Sequence, residues 1–146
     1  ERNGVYSDRI SFAVGNGPDT YTVFVAPECL GCKQMIRQLL DADTLDERTY
    51  QFVLLSTTQQ GEHNNRLVWC SEDRAAALEE IYLKGITPKS LRKVGSECDQ
   101  FGLFLARQAA QVFGIARLPM VASSDGEAAA GYEAAMKHLG FEGEVQ

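Results

Sequence analysis

The chain has 146 residues, 45% apolar and 23% charged, a length and balance that can bury a core without staples and that exclude a disordered polypeptide. Twenty acidic against 14 basic residues give a formal net charge of -6, and the densest basic cluster is Leu91-Arg92-Lys93. Nucleic acid and polyanionic membrane surfaces ask for a basic face, so both are disfavoured as partners, and no apolar run approaches the roughly 20 residues that cross a bilayer.

Ile10, Phe12 and Val14 alternate with smaller residues and predict a first strand. Gly15 to Asp19 supplies turn chemistry, and Thr20 to Ala26 reads as a second strand closed by Pro27 and Glu28. The period then changes. Cys32, Met35, Ile36 and Leu39 fall at i, i+3, i+4 and i+7 of a helix with Cys29 at its N-terminus. Thr49 to Ser56 is an unbroken apolar run that suits a buried strand of a parallel sheet, completing a βαβ unit.

A long polar-rich stretch, Thr57 to Arg66, comes before Leu67-Val68-Trp69-Cys70. Ser71 to Gly85 predicts a helix capped by Ser71 or Asp73, with Glu80 and Lys84 as an i to i+4 pair and Gly85 as its stop. Thr87 to Gly95 reads as a short helix with Pro88 in its first turn. Asp99 to Gly114 reads as a longer one whose inner stripe is Phe101, Phe104, Leu105, Gln108 and Val112. Residues from about 60 to 113 are thus a mostly helical insertion. A hairpin turning at Ser124-Asp125-Gly126 and a last helix, Glu133 to Leu139, stopped by Gly140, close the chain. The fold class is α/β, a sandwich in the order ββαβ, helices, ββα, expected to be one domain over 1–146.

Chemistry concentrates at Cys29-Leu30-Gly31-Cys32. A thiolate, not a thiol, attacks a disulfide, and a helix N-terminus stabilises that charge through free backbone N–H groups and the macrodipole. The two-residue spacer lets Cys32 resolve a mixed disulfide formed on Cys29. Lys33 adds some support, whereas Glu28 opposes thiolate formation if it points inward. Four cysteines permit three pairings. A zinc site is the weaker alternative: Cys70 and Cys98 lie 28 positions apart without a near Cys or His partner, and His63 and His138 have no ligand spacing. Trp69, Met35 and Met120 read as core residues.

The segments "TVFVAPECLGCKQM", "LVWCSEDRAAALEEI" and "CDQFGLFLARQAAQVFGIARLPMVASSDGEAAAGY" resemble, in that order and over nearly the whole chain, the thioredoxin-fold catalytic domain of the periplasmic disulfide isomerases of the DsbC/DsbG type. The resemblance implies a thioredoxin-like fold with the insertion, about 60–113, between its βαβ and ββα halves. It implies Cys29 and Cys32 as the redox pair and Cys70 and Cys98 as a structural bridge. It also implies a cis peptide before Pro119, with Leu118 and Pro119 holding a substrate strand. Closing a loop of about 28 residues would add roughly 3 to 4 kcal/mol to stability in the chain-entropy model.

Activity, by the same resemblance, is thiol-disulfide exchange as reductase or isomerase, without cofactor or metal. Its partners are cysteine-containing exported proteins and a membrane redox protein that resets the pair. The location is the periplasm, with no signal segment in this chain. Three departures stand out. Leu118 replaces the family's frequent Thr, Val23 stands where many thioredoxins bury an acid, and the residues before Ile10 do not encode the isomerases' dimerisation module. Proton transfer to Cys32 then falls to water or to Glu28. The alternative reading is a binding or assembly module of an envelope or secretion complex, with Cys29–Cys32 as a fixed staple.

Overall fold

Five strands form one sheet in the order β1-β3-β2-β4-β5 in a computed structural model that describes residues 9–92, 98–115 and 117–141. They are β1 (Phe12–Gly15), β2 (Asp19–Val25), β3 (Arg48–Leu54), β4 (Met120–Ser123) and β5 (Ala128–Ala130). β2 and β3 run parallel, joined by α1 (Leu30–Asp41), and the other three pairings are antiparallel. This mixed sheet agrees with the α/β order of the sequence elements and with the thioredoxin-like fold that the resemblance implies.

Alternation in β2 divides the interior into two layers. Val23 and Val25 point to one face with Cys32, Met35, Ile36 and Leu39 of α1, while Phe24 points to the other with Val53, Ile10, Ala106 and Ala110. Both faces of the central strands are therefore dry, which explains their unbroken apolar sequence. The first layer also packs against α3 (Arg74–Leu78) and α5 (Tyr132–His138), and the second against α4 (Phe101–Val112).

Helical structure in the insertion departs from the sequence reading at four places. The polar stretch after β3 is itself helical, as α2 (Gln59–Trp69), with Thr58 capping it by accepting the Gly61 N–H at 2.9 Å. Its buried positions are Gly61, Asn65, Val68 and Trp69, so half of its inner face carries no apolar signal. Asp73 caps α3, which widens into a π-helical segment, Glu79–Lys84, ended by Gly85 at φ 66°. The wider turn brings Lys84 to Glu79 at 4.0 Å instead of Glu80, and Glu80 accepts the Lys89 N–H.

The expected helix at Thr87 to Gly95 is absent over Thr87–Arg92, and its last three residues lie outside the described ones. There the backbone pairs with the segment after α2: Glu72 donates to Ser90, Arg92 donates to Cys70, and Ser71 bridges Leu91. Lastly, α4 is rotated from the expected stripe. Gly102, Leu103, Ala106 and Ala110 face inward, whereas Phe101, Phe104 and Val112 are exposed at 52%, 45% and 78%.

Beyond α4 the chain crosses back to the sheet through the Leu118-Pro119 peptide, which is cis, and enters β4 between β2 and β5. Gly131 donates its N–H to the Pro119 carbonyl at 2.8 Å, fixing the start of α5 beside that loop.

Candidate functional site

Cys29 is the N-cap of α1, with extended backbone (φ -93°, ψ 112°), and its sulfur accepts the Cys32 N–H at 3.0 Å. An N-cap is ordinarily Ser, Thr, Asp or Asn, whose oxygen satisfies an orphan donor of the first turn. Here sulfur takes that place, so the helix directs a backbone N–H and its positive end at the atom that would carry negative charge. Cys29 is partly exposed and Cys32 wholly buried, and the two are disulfide-bonded with Cα atoms 5.2 Å apart.

Gly31, between the cysteines, touches the cis-proline loop. A Cβ there would lie 3.2 Å from the Tyr132 Cβ and 3.3 Å from the Pro119 Cδ, so only a hydrogen fits comfortably. The fold thus brings Pro119, remote in sequence, onto the cysteine pair. Leu118 is partly buried and packs against both interior layers. Leu30 projects outward, 69% exposed.

Val23 is fully buried in β2, and the buried polar residues among the described ones, Ser11, Thr22, Asn65 and Ser71, include no carboxylate. Glu28 is instead engaged sideways: its Oε2 accepts from the Ser56 and Thr58 hydroxyls, each at 2.7 Å. A Cβ on Gly61 would collide with that carboxylate, so the glycine opens the space it occupies. Burial pushes the Glu28 carboxyl up, but the hydrogen bonds from Ser56, Thr58 and the backbone outweigh it and hold the group below its ordinary range. Tyr82 donates to Asn65 Oδ1 at 2.7 Å, and Asn65 donates to the Leu55 carbonyl at 2.8 Å. Burial first, and the charge of Glu28 second, push the Tyr82 phenol well above its ordinary value, so it stays a neutral donor.

The second sulfur pair belongs to the insertion. Cys70 caps the C-terminus of α2 and is disulfide-bonded to Cys98, with Cα atoms 5.6 Å apart. Trp69 beside it is 4% exposed, donates to the Asp99 carbonyl and carries the Arg74 guanidinium 4.2 Å from its ring centroid. Met35 is buried in the first layer and Met120 packs against the second. Among the described residues no group of three or more His, Cys, Asp and Glu converges as a metal would need. Sequence reasoning named Gly31 only as part of the spacer and Tyr132 only as part of the closing segment, and assigned no role to Ser56, Thr58 or Gly61. The one sequence signal for them was Thr58 as an N-cap, hidden in a polar run.

A model of the thioredoxin-like domain matches residues 6–140 of the chain. The chain belongs to the thioredoxin-like domain family. Within that family it is 29% identical over 85 residues to a probable thiol:disulfide interchange protein DsbC of Bordetella pertussis, a match covering 58% of this chain and 28% of that protein. The match thus covers under a third of the length of the curated relatives. Among solved structures it is similar to a disulfide interchange protein from Neisseria gonorrhoeae, with a TM-score of 0.70, 20% identity and 94% of each chain covered. A periplasmic thioredoxin-like protein from Salmonella enterica serovar Typhimurium gives a TM-score of 0.71 at 14% identity, over 97% of this chain and 93% of that one. The catalytic domain of Proteus mirabilis ScsC gives 0.65 at 16%, over 97% and 94%. This thioredoxin-like domain has, among its described residues, no helix long and apolar enough to cross a membrane.

Proposed function

We propose that this thioredoxin-like domain is a single folding unit over 1–146 that exchanges disulfides in exported proteins of the periplasm, as reductase or isomerase. One observation carries the reading: the Cys29 sulfur occupies the N-cap of α1 and accepts a backbone N–H, while Cys32 is buried one turn further on. The same donor and the helix end stabilise a thiolate when the pair is reduced.

In the reductive direction the Cys29 thiolate attacks one sulfur of a substrate disulfide. A Cys29–substrate disulfide forms, and the other substrate sulfur leaves as a thiolate and takes a proton. Cys32 then loses its proton and attacks the Cys29 sulfur, which closes Cys29–Cys32 and frees the second substrate thiol. Two electrons pass from the protein dithiol to the substrate, and a membrane dithiol partner returns them. In isomerisation a second substrate cysteine displaces Cys29 instead, and no net electrons move. Leu118 and Pro119, beside Gly31, hold the substrate backbone as an added strand.

A relative named as a thiol:disulfide interchange protein and a structural neighbour named as periplasmic support the class of reaction and the compartment. Insulin reduction by the wild type and by Cys29→Ser tests the assignment, and loss of essentially all turnover in the variant is the expected outcome. Equilibration with glutathione separates catalysis from a staple, since a Cys29–Cys32 potential below about -300 mV would mark a structural bond.

A further inference from the structure

Two consecutive residues serve two different helices. The Cys29 sulfur caps α1, whereas the Glu28 carboxylate lies on the first turn of α2, in the space that Gly61 leaves open. Thr58, the N-cap of α2, uses one hydroxyl twice: it accepts the Gly61 N–H at 2.9 Å and donates to Glu28 Oε2 at 2.7 Å. Glu28 thus sits at the positive end of an 11-residue helix, as Cys29 does at the end of a 12-residue one. Among the described residues no cationic side chain forms an ion pair with Glu28. The other charges nearby are Lys33 on α1, and Glu62, Arg66 and Arg107 around a cavity that Ser56 also lines. Glu62, in the same first turn of α2, is a like charge and weakens the seat.

This clasp has two satisfied states. The Ser56 hydroxyl has one proton and two acceptors within reach, Glu28 Oε2 at 2.7 Å and the Thr58 carbonyl at 2.9 Å. When the carboxylate leaves, Ser56 turns to Thr58, and the exposed Thr58 hydroxyl still caps Gly61 while donating to solvent. Opening therefore strands no polar group. Further along α2, Asn65 donates to the Leu55 carbonyl and accepts from Tyr82, which holds the helix in place in either state.

Reduction biases the choice between them. In the disulfide Cys29 is neutral, whereas its thiolate adds a second negative charge one residue from Glu28. A carboxylate held at the α2 end is screened by that helix and a free one is not, so the thiolate and the closed clasp favour each other. Such coupling is reciprocal. We propose that Glu28 is a positioning residue that couples the redox pair to the insertion: its seat on α2 permits the Cys29 thiolate, and reduction tightens the seat. The first turn of α2 is then firmer in the reduced protein, a difference that a redox partner can read, and this use of it rests on the exchange reading.

Variants read at Cys29 and at α2 test the coupling. Reduced proteins with Cys70–Cys98 intact are alkylated at neutral pH. Gly61→Ala fills the carboxylate's space and Ser56→Ala removes one donor, so each should slow alkylation about twofold, opposite to the faster reaction expected of Glu28→Gln. Added to Glu28→Gln, neither should change the rate. Equilibrium with glutathione should shift about twofold toward the disulfide in each single variant. Amide exchange at Gly61 and Glu62, divided by that at Val68 in the same helix, should be about threefold slower in reduced than in oxidised wild type, and independent of redox state in Glu28→Gln. If Gly61→Ala does not fold, Ser56→Ala and the amide exchange decide. Seat variants that alkylate as fast as the wild type, or that slow equally beside Glu28→Gln, overturn the proposal, as does amide exchange blind to redox state. A wild type that shows the coupling yet fails to reduce insulin overturns the exchange reading and leaves the coupling standing.

Discussion

Glu28 stands beside Cys29 and owes its position to Ser56 and Thr58, 28 and 30 residues further on. Its charge opposes a thiolate on Cys29, while the Cys32 N–H and the helix end favour one. Glu28→Gln keeps an acceptor for the two hydroxyls and removes the charge. The reduced variant should therefore alkylate at Cys29 about threefold faster at neutral pH, the effect of losing one partly screened neighbouring charge. An unchanged or slower rate would count against it. Stability carries the same signature. The folded Glu28 carboxyl lies below its ordinary value of 4.5, so the unfolded chain binds the proton more readily. The contribution is complete above pH 4.5 and is lost as the pH falls through the folded value. Urea midpoints of the wild type and Glu28→Gln should converge on acidification through that range. Cys29 as an N-cap was readable from the change of period after Pro27. Glu28's partners were not, because they depend on where α2 sits, and its inner face begins with Gly61 and Asn65.

In α4, both faces carry apolar residues, so periodicity could not choose the buried one. Packing chose the smaller side. Ala106 and Ala110 let the helix approach Phe24 and Val53, whose bulk already fills the second layer, Gly102 makes room for Trp69 and the Arg9 carbonyl, and the phenyl groups of Phe101 and Phe104 stack outside with centroids 5.8 Å apart. Close packing makes this register sensitive to volume. Ala106→Leu, at a position with no exposure, should destabilise by about 1 to 3 kcal/mol through overpacking, whereas Val112→Ser at 78% exposure should stay within about 0.5 kcal/mol. Urea unfolding of the two variants checks this, and the reverse order would restore the stripe expected from hydrophobicity. α1 was legible for the opposite reason: Cys32, Met35, Ile36 and Leu39 are buried, and apart from Leu30 and Leu40 the rest of its surface is polar or small. The Glu79–Lys84 π-helical segment illustrates another limit, since an i to i+4 charge pair in the sequence became an i to i+5 pair once the turn widened.

The sheet and the cis-proline loop organise the whole molecule around one strand-to-helix junction. β2 supplies Cys29 at its end, β4 lies against β2, and Pro119 at the start of β4 thereby reaches Gly31. The βαβ unit followed from element order, and the cis peptide before Pro119 from the family resemblance. The insertion's internal packing did not, because its contacts run through backbone groups of Cys70, Glu72, Ser90 and Arg92 that leave no side-chain pattern. A covalent bond compensates where apolar periodicity is weak. The Cys70–Cys98 bridge spans 28 positions and ties the end of α2 to the residues before α4, next to Trp69, whose indole N–H reaches Asp99. Replacing both cysteines by alanine leaves the hydrogen bond and the Arg74 contact in place but frees the loop in the unfolded chain. Stability should fall by roughly 3 to 4 kcal/mol, read from urea unfolding with Cys29 and Cys32 kept oxidised. Exchange by the folded fraction should persist, since the Cys29 N-cap bond is made within α1 itself. A loss of turnover in variant protein that remains folded would instead make the insertion part of the redox site's support.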